Sequence, residues 1–405
     1  AVAVPSEDCD GSGSLVIVGG AWAPENEPVH DRTIELGGGT ERANIVIVPA
    51  ASSTPAQSGE AFVEDFVEYG VPEENVSLVP IASADDPSTP ANESRWADNV
   101  DDPDVVDRIE AATVVVFPGG SQLRLRSVLA PDGERSPAMA AIDQTYRDCG
   151  VIAGTSAGAA VMSDPMIGSG ASYGALYDGV AETDTFGEAD DNRVWLTPGF
   201  GYLDHAIVDQ HFQERGRIGR LLRAVVEAPD VETGYGIGEN TALVFSAGRS
   251  EATVLGEGGV TILQTERADT IAADPGGSLT LDNATVHYLT DGDRYDTRFG
   301  TVSVAPEKQP IETPYFGPVE TPIYRVFENP ATVSMLTDRL VDSESTSVTA
   351  LECGDGRSMF ASGDRGVELA YVEHPWTMGW IDTTGESWQY SVVGADLSIR
   401  PVHCR

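Results

Sequence analysis

Val151-Ile152-Ala153-Gly154-Thr155-Ser156-Ala157-Gly158-Ala159-Ala160-Val161-Met162 passes from a short apolar run, through a turn of small residues, into a helix-compatible stretch. Strand, sharp turn and helix in that order lift a serine hydroxyl above a sheet, and the flanking Gly154 and Gly158 leave room for a strained backbone. The amide of Ala157, at the helix start, is aimed at a developing oxyanion. Ser156 is the candidate nucleophile. The plainer alternative is a glycine-rich turn that binds an anion.

Outward from this turn, similar apolar runs occupy residues 15–18, 44–48, 76–79 and 113–117. Each is short, β-branched and closed by Gly or Pro, as buried parallel strands are. Helical spacing lies between them. Residues 57–69 place Phe62, Phe66 and Tyr69 on one face, with Gly70 as the stop; residues 104–111 and 137–147 carry comparable faces. Strands alternating with helices predict an α/β fold, a mostly parallel sheet flanked by helices. After about residue 242 the pattern becomes short alternating runs (241–246, 251–255, 260–264, 278–281, 284–289), which read as antiparallel strands. Five prolines between Pro306 and Pro322 suggest an extended segment, and a β-rich extension follows.

A serine nucleophile needs a base. Of six histidines, His211 stands out because Arg215, Arg217, Arg220 and Arg223 follow it closely. In so acidic a chain, that density points to a pocket for carboxylates, which guanidinium groups grip in bidentate fashion. The plainer reading is a helix face paired with the protein's own acids. His205 is the rival base. Glu239, in a loop just before the strand at 241–246, is a candidate third member, but composition does not single it out from 65 acids, and Asp209 is close in sequence. The resulting order, Ser, His, acid, differs from the Ser, acid, His order of α/β-hydrolases.

Composition bounds the partners. Asp plus Glu total 65 against 24 Lys plus Arg, a formal net charge of -41, and Lys308 is the single lysine. Such a surface repels nucleic acid and anionic membranes, and repels itself where salt is too dilute to screen it. Adaptation to high salt is the simplest account; a merely acidic secreted protein is the other. No apolar run is long enough to span a membrane. The four cysteines form no C-x-x-C pair, so neither a zinc nor a redox site is supported, and the proposed chemistry needs no cofactor. Cys353 and Cys404 bracket the C-terminal region and are the favoured disulfide; Cys9 with Cys149 follows by elimination. A start at Ala1 rather than Met suits a processed exported protein, and equally a trimmed chain. An extracellular or cell-surface location is expected, with the cytoplasm as the alternative. A homodimer is left open.

Four segments together resemble the cyanophycinase family of serine peptidases, relatives of the aspartyl dipeptidases. They are Phe117-Pro118-Gly119-Gly120-Ser121-Gln122-Leu123, residues 154–162, residues 209–221 and Gly236-Ile237-Gly238-Glu239-Asn240-Thr241-Ala242. The resemblance implies a flavodoxin-like, glutamine-amidotransferase-like fold over residues 15–304, including the β-rich part 242–304. Residues 1–14 would be a tail and 305–405 an extension without a family counterpart. It implies Ser156 as nucleophile, His211 as base and Glu239 as third member. Gly120 and Ala157 would be the oxyanion amides, with Gln122, Asp209, Gln210, Arg215, Arg217 and Arg220 lining the substrate pocket. It further implies hydrolysis of cyanophycin, a polyaspartate whose side chains carry arginine through isopeptide bonds, to β-Asp-Arg dipeptides. An isoaspartyl or α-aspartyl peptidase, or an idle surface-binding homologue, are the alternatives. The sequence departs from the family pattern at Ser121, where an acidic or amide residue is usual, and at Gly238, where Asp is usual. An acidic insert at about 170–193 is expected to form a lid or rim.

Overall fold

The β-branched runs form strands β1 (Ser14–Val18), β2 (Ile45–Ile47), β3 (Val76–Leu78), β4 (Val114–Phe117) and β5 (Val151–Thr155). The computed structural model describes residues 11–183, 192–203, 205–248, 250–273, 277–329, 331–354, 365–385 and 387–404. These five strands pair in parallel in the order β3-β2-β4-β5-β1. Every residue of β1, β2, β4 and β5 is buried, which is why the sequence shows continuous apolar runs rather than alternation. The connections carry helices α1 (Glu27–Leu36), α2 (Pro55–Glu68), α3 (Pro103–Glu110), α4 (Gln122–Leu129) and α5 (Pro137–Arg147). Three of these, α2, α3 and α5, begin on a proline, whose fixed φ and missing N–H suit the first helical turn. The strand Thr241–Phe245 pairs antiparallel with β1, and Glu251–Gly256 pairs with it in turn, extending the parallel core.

The chain divides into two compact units. The first holds the described residues up to 162 with Asn240–Gly256 and Tyr295–Thr301; the second holds Ser163–Glu239, Glu257–Arg294 and Val302–Arg405. In the second, Ala206–Asp209 and Thr233–Ile237 run parallel, joined through the helix Ile218–Glu227. Antiparallel strands continue that sheet: Gly259–Gln264, Leu279–Thr290, Gln389–His403, Arg365–Val372 and Ser347–Cys353. Two sequence expectations change here. Residues 278–281 and 284–289 belong to one strand, whose register shifts between Leu281 and Ala284 around Asn283 at φ +64°. Residues 305–405 are also not a separate body. Gln389–His403 is hydrogen-bonded to Leu279–Thr290 on one side and Arg365–Val372 on the other, and Leu281, Val286, Leu397 and Ile399 share one core.

The expected Cys353–Cys404 disulfide is present, with Cα atoms 5.9 Å apart. Cys149 is disulfide-bonded as well; Cys9, its expected partner, lies outside the described residues. Part of the acidic insert, 184–191, also lies outside them. The insert's helix Ser172–Tyr177 is a core element rather than a rim: Ser172 to Leu176 are all buried. No helix of the described residues is long and apolar enough to cross a membrane.

The single lysine is internal. Lys308 Nζ lies 2.8 Å from Asp293 Oδ1 and donates to Asp291 O, and both side chains of the pair are buried. Asp293 also accepts from the amides of Thr290 and Ala305 and from the Ser391 hydroxyl, so it ties together segments far apart in sequence. Removing the cation leaves a buried carboxylate without its counter-charge, which costs about 3–5 kcal/mol. Lys308→Met should lower the denaturant midpoint correspondingly, and the pairing has no such weight if equilibrium unfolding is unchanged.

Candidate active site

In the first unit, β5 ends at Thr155 and the short helix α6 (Ala157–Ala160) begins after the single intervening residue Ser156. Ser156 makes the turn at φ +54°, ψ -107°, a strained conformation for a residue with a side chain. Its amide donates to Val18 O on β1 at 3.0 Å, and its carbonyl accepts from Ala159 and Ala160. The glycines around it are set by close approach. A Cβ at Gly158 would meet Phe117 O at 2.3 Å, and one at Gly154 would meet Gly158 O at 2.5 Å.

The turn after β4 borders this serine. A Cβ at Gly119 would stand 3.5 Å from Ser156 Cβ and 4.0 Å from its hydroxyl oxygen. Gly120 follows at φ +144°, where a Cβ would collide with Ala51 O. Ser121 then caps α4, its hydroxyl accepting from the Arg124 amide at 3.3 Å. A short oxygen-bearing side chain is what that position requires, so Ser121 retains the capping role that Asp or Asn would fill. Gln122 opens α4 directly after it. The Ala157 amide, first in its helix, has no partner within that helix.

In the second unit, two neighbouring parallel strands end together. Asp209 is in register with Gly236, so His211 and Glu239, 28 positions apart in sequence, emerge side by side. His211 Nδ1 lies 2.5 Å from Glu239 Oε1. The carboxylate accepts, so Nδ1 carries the hydrogen and Nε2 is left basic. His211 is at φ +45° and is mostly buried. Burial lowers its pKa below the ordinary 6.5, against the Glu239 hydrogen bond, and the charge of Arg215 adds to the lowering.

The alternatives weighed in the sequence separate here. His205 is exposed and meets only a backbone carbonyl, that of Asp230, among its described contacts. Asp209 is engaged by Arg220, whose Nε donates to Oδ2 at 2.7 Å and whose Nη2 donates to Oδ1. Glu239, not Asp209, is therefore the histidine's carboxylate.

The arginine cluster also divides. Arg223 is fully buried against Glu227 and Gly277 O. Arg220, expected to face substrate, is buried and donates to Asp209 and to Gly170 O, so it holds Asp209 in place. Arg217 donates to Gln210 O and lies 3.7 Å from Asp209; burial, then the charge of Arg220, pulls its pKa down to about 9. Arg215 is exposed. The helix-face reading thus holds for Arg220 and Arg223, while Arg215 and Arg217 stand on the side of the histidine.

Sequence reading passed over Gln213. A Cβ at Gly238 would come within 2.4 Å of Gln213 Oε1, and Gln213 Nε2 donates to Gly259 O at 2.8 Å. The Gln213 amide occupies the space beside position 238, which explains why glycine stands there. The unusual Gly238 was itself the available signal.

A strained serine at a strand–helix turn and a histidine hydrogen-bonded to a carboxylate are parts that a serine hydrolase uses. Residues 15–253 match Peptidase family S51. The chain belongs to that family and is a serine-type peptidase. It is 35% identical over 290 residues to a cyanophycinase of Nostoc sp. (strain PCC 7120 / SAG 25.82 / UTEX 2576), covering 70% of this chain and 85% of that protein. It is 33% identical over 298 residues to a cyanophycinase of Geminocystis herdmanii (strain PCC 6308), covering 70% and 94%. A crystal structure of a peptidase from an acI-B1 Actinobacterium aligns with TM-score 0.47 at 21% identity, covering 70% of this chain and 97% of that one.

Gly238→Asp should destabilise by about 1–3 kcal/mol, the usual range for overpacking. Combining it with Gln213→Ser should recover most of that loss. Equal melting temperatures for the single and double variants would show that the two positions are not coupled.

Proposed function

We propose that this peptidase cleaves aspartyl polymers of the cyanophycin type and releases β-Asp-Arg dipeptides through an acyl-enzyme. His211 Nε2 takes the Ser156 hydroxyl proton as the oxygen attacks an aspartyl carbonyl. The amides of Gly120 and Ala157 hold the oxyanion. Glu239 steadies the imidazolium, which then protonates the leaving amine. Water, deprotonated by His211, attacks the ester and frees the acid and Ser156. Arg215 and Arg217 grip aspartyl carboxylates, while Gln122, Gln210 and Asp209, the last held by Arg220, shape the rest of the pocket.

The observation that carries the reading is the His211–Glu239 contact of 2.5 Å, formed by the residues that the family resemblance selects. The cyanophycinase relatives support the substrate, as does a cationic pair beside the base in a chain of net charge -41. The same charge, with no lysine but the buried Lys308, supports work in concentrated salt, and the disulfides support an extracellular setting.

Chromatography of products from cyanophycin and from a panel of isoaspartyl and α-aspartyl dipeptides, run in molar KCl, tests this. Dipeptide release from the polymer is expected, and release only from the panel would overturn the substrate. Ser156→Ala should reduce kcat by about 10⁴-fold or more. His211 acts while neutral and its pKa is lowered, so the rising limb of kcat/KM should lie below pH 6.5. A limb centred well above that pH would mean another group is the base.

A further inference from the structure

A cavity whose lining does not include Ser156 lies wholly within the first unit. It has a volume of about 730 Å³, within the range of small-molecule sites. Its walls come from α2, the end of β3, the segment 88–93 and α3, and include Glu60, Glu93, Trp96 and Arg108. Glu93 is fully buried, its carboxylate bonded to the Thr89 hydroxyl and the Asp86 amide. Those bonds hold its carboxyl below the usual range, so a buried negative charge lies behind the wall there. Glu60 and Arg108 are exposed and in no salt bridge among the described residues; Arg108 makes one hydrogen bond, to Leu78 O. Half-buried Trp96 supplies an aromatic surface.

This wall offers a negative group, a positive group and an aromatic ring together. A ligand that matches all three carries a guanidinium, a carboxylate and a short apolar stem. The guanidinium pairs with exposed Glu60 and stacks on Trp96, while the carboxylate meets Arg108. An arginine linked through its α-amine, with its carboxylate free, is such a group, and the proposed substrate repeats it along the chain.

Position supports this. Pro80 follows β3 and Ser156 follows β5, so both lie beyond the C-terminal ends of parallel strands, where ligands of open α/β sheets bind. The order β3-β2-β4-β5 separates them by three strand spacings, or about 14 Å. An extended backbone covers that in about four residues. We propose that this cavity is an accessory subsite for an N-acylarginine side chain of the polymer, about four backbone residues from the bond being cleaved. The proposal rests on the substrate reading above. It implies that long substrates gain affinity from the cavity and that substrates of one or two repeats do not.

The test uses the full chain. Calorimetric titration of the Ser156→Ala protein with Nα-acetyl-L-arginine should show binding that weakens about ten-fold on adding Trp96→Ala or Glu60→Gln, and agmatine, which lacks the carboxylate, should bind more weakly. With Ser156 intact, either substitution should raise KM for the polymer about ten-fold while leaving kcat and the hydrolysis of one- or two-repeat substrates unchanged. Should Trp96→Ala fail to fold, Glu60→Gln decides. Acetylarginine binding that is absent, or unaffected by either substitution, overturns the subsite even if the polymer is cleaved. Trp96-dependent binding in a protein that does not cleave the polymer keeps the subsite and overturns the substrate reading. Equal losses on long and short substrates also overturn it.

Discussion

The backbone hydrogen bond from Ser156 to Val18 O holds a side-chain-bearing residue at φ +54°. Left alone, that conformation costs of order 1–3 kcal/mol and would relax. Here it is over-determined. The strand before it is paired on both edges, with β1 and with β4. The helix after it sits so close to β4 that no methyl group fits at Gly158. The same closeness brings the Gly119-Gly120 turn beside the serine hydroxyl. A buried, fully paired parallel sheet is thus the device that stores the strain, and the small residues around Ser156 follow from its tightness.

The second unit uses a different device for the same kind of precision. His211 and Glu239 are brought together by register: two adjacent parallel strands end at the same level, and each delivers one residue beyond its end. Phe212 and Gln213 pack against Gly236 and Gly238, where a Cβ would strike the Phe212 ring and the Gln213 amide, so the two strand ends pack closely on one another. The short interval between Asp209 and Arg220 is likewise a supporting contact. It keeps a buried carboxylate paired, and so avoids the cost of an uncompensated charge beside the histidine.

Charge acts on two scales. Over the surface, the acidic excess repels itself and is softened by salt. Inside, a few cations are placed one by one: Lys308 on Asp293, Arg220 on Asp209 and Arg223 on Glu227. Of the basic residues that look like a substrate pocket in the sequence, some are therefore structural. Position along the chain does not distinguish Arg217 from Arg220, because Arg217 caps the helix and Arg220 follows three residues later on the same side, both against Asp209, and only packing determines which of them holds that carboxylate.

The sequence by itself determined the five parallel strands, three of the helices between them (α2, α3 and α5) and the Ser156 turn. These signals are local: an apolar run, a cap or a glycine flank acts within about ten residues, through backbone geometry and burial. It also placed His211 and Glu239 as candidates, through motif resemblance rather than through any physical ranking of acids. The tertiary structure alone decided that Glu239 and not Asp209 meets the histidine, that Arg220 turns inward, that Gln213 fills the space beside Gly238, and that the C-terminal strand Gln389–His403 completes a sheet begun near residue 206. Each of these depends on the register of strands far apart in the chain. Register is set by the summed burial of whole faces, which no short stretch of sequence contains.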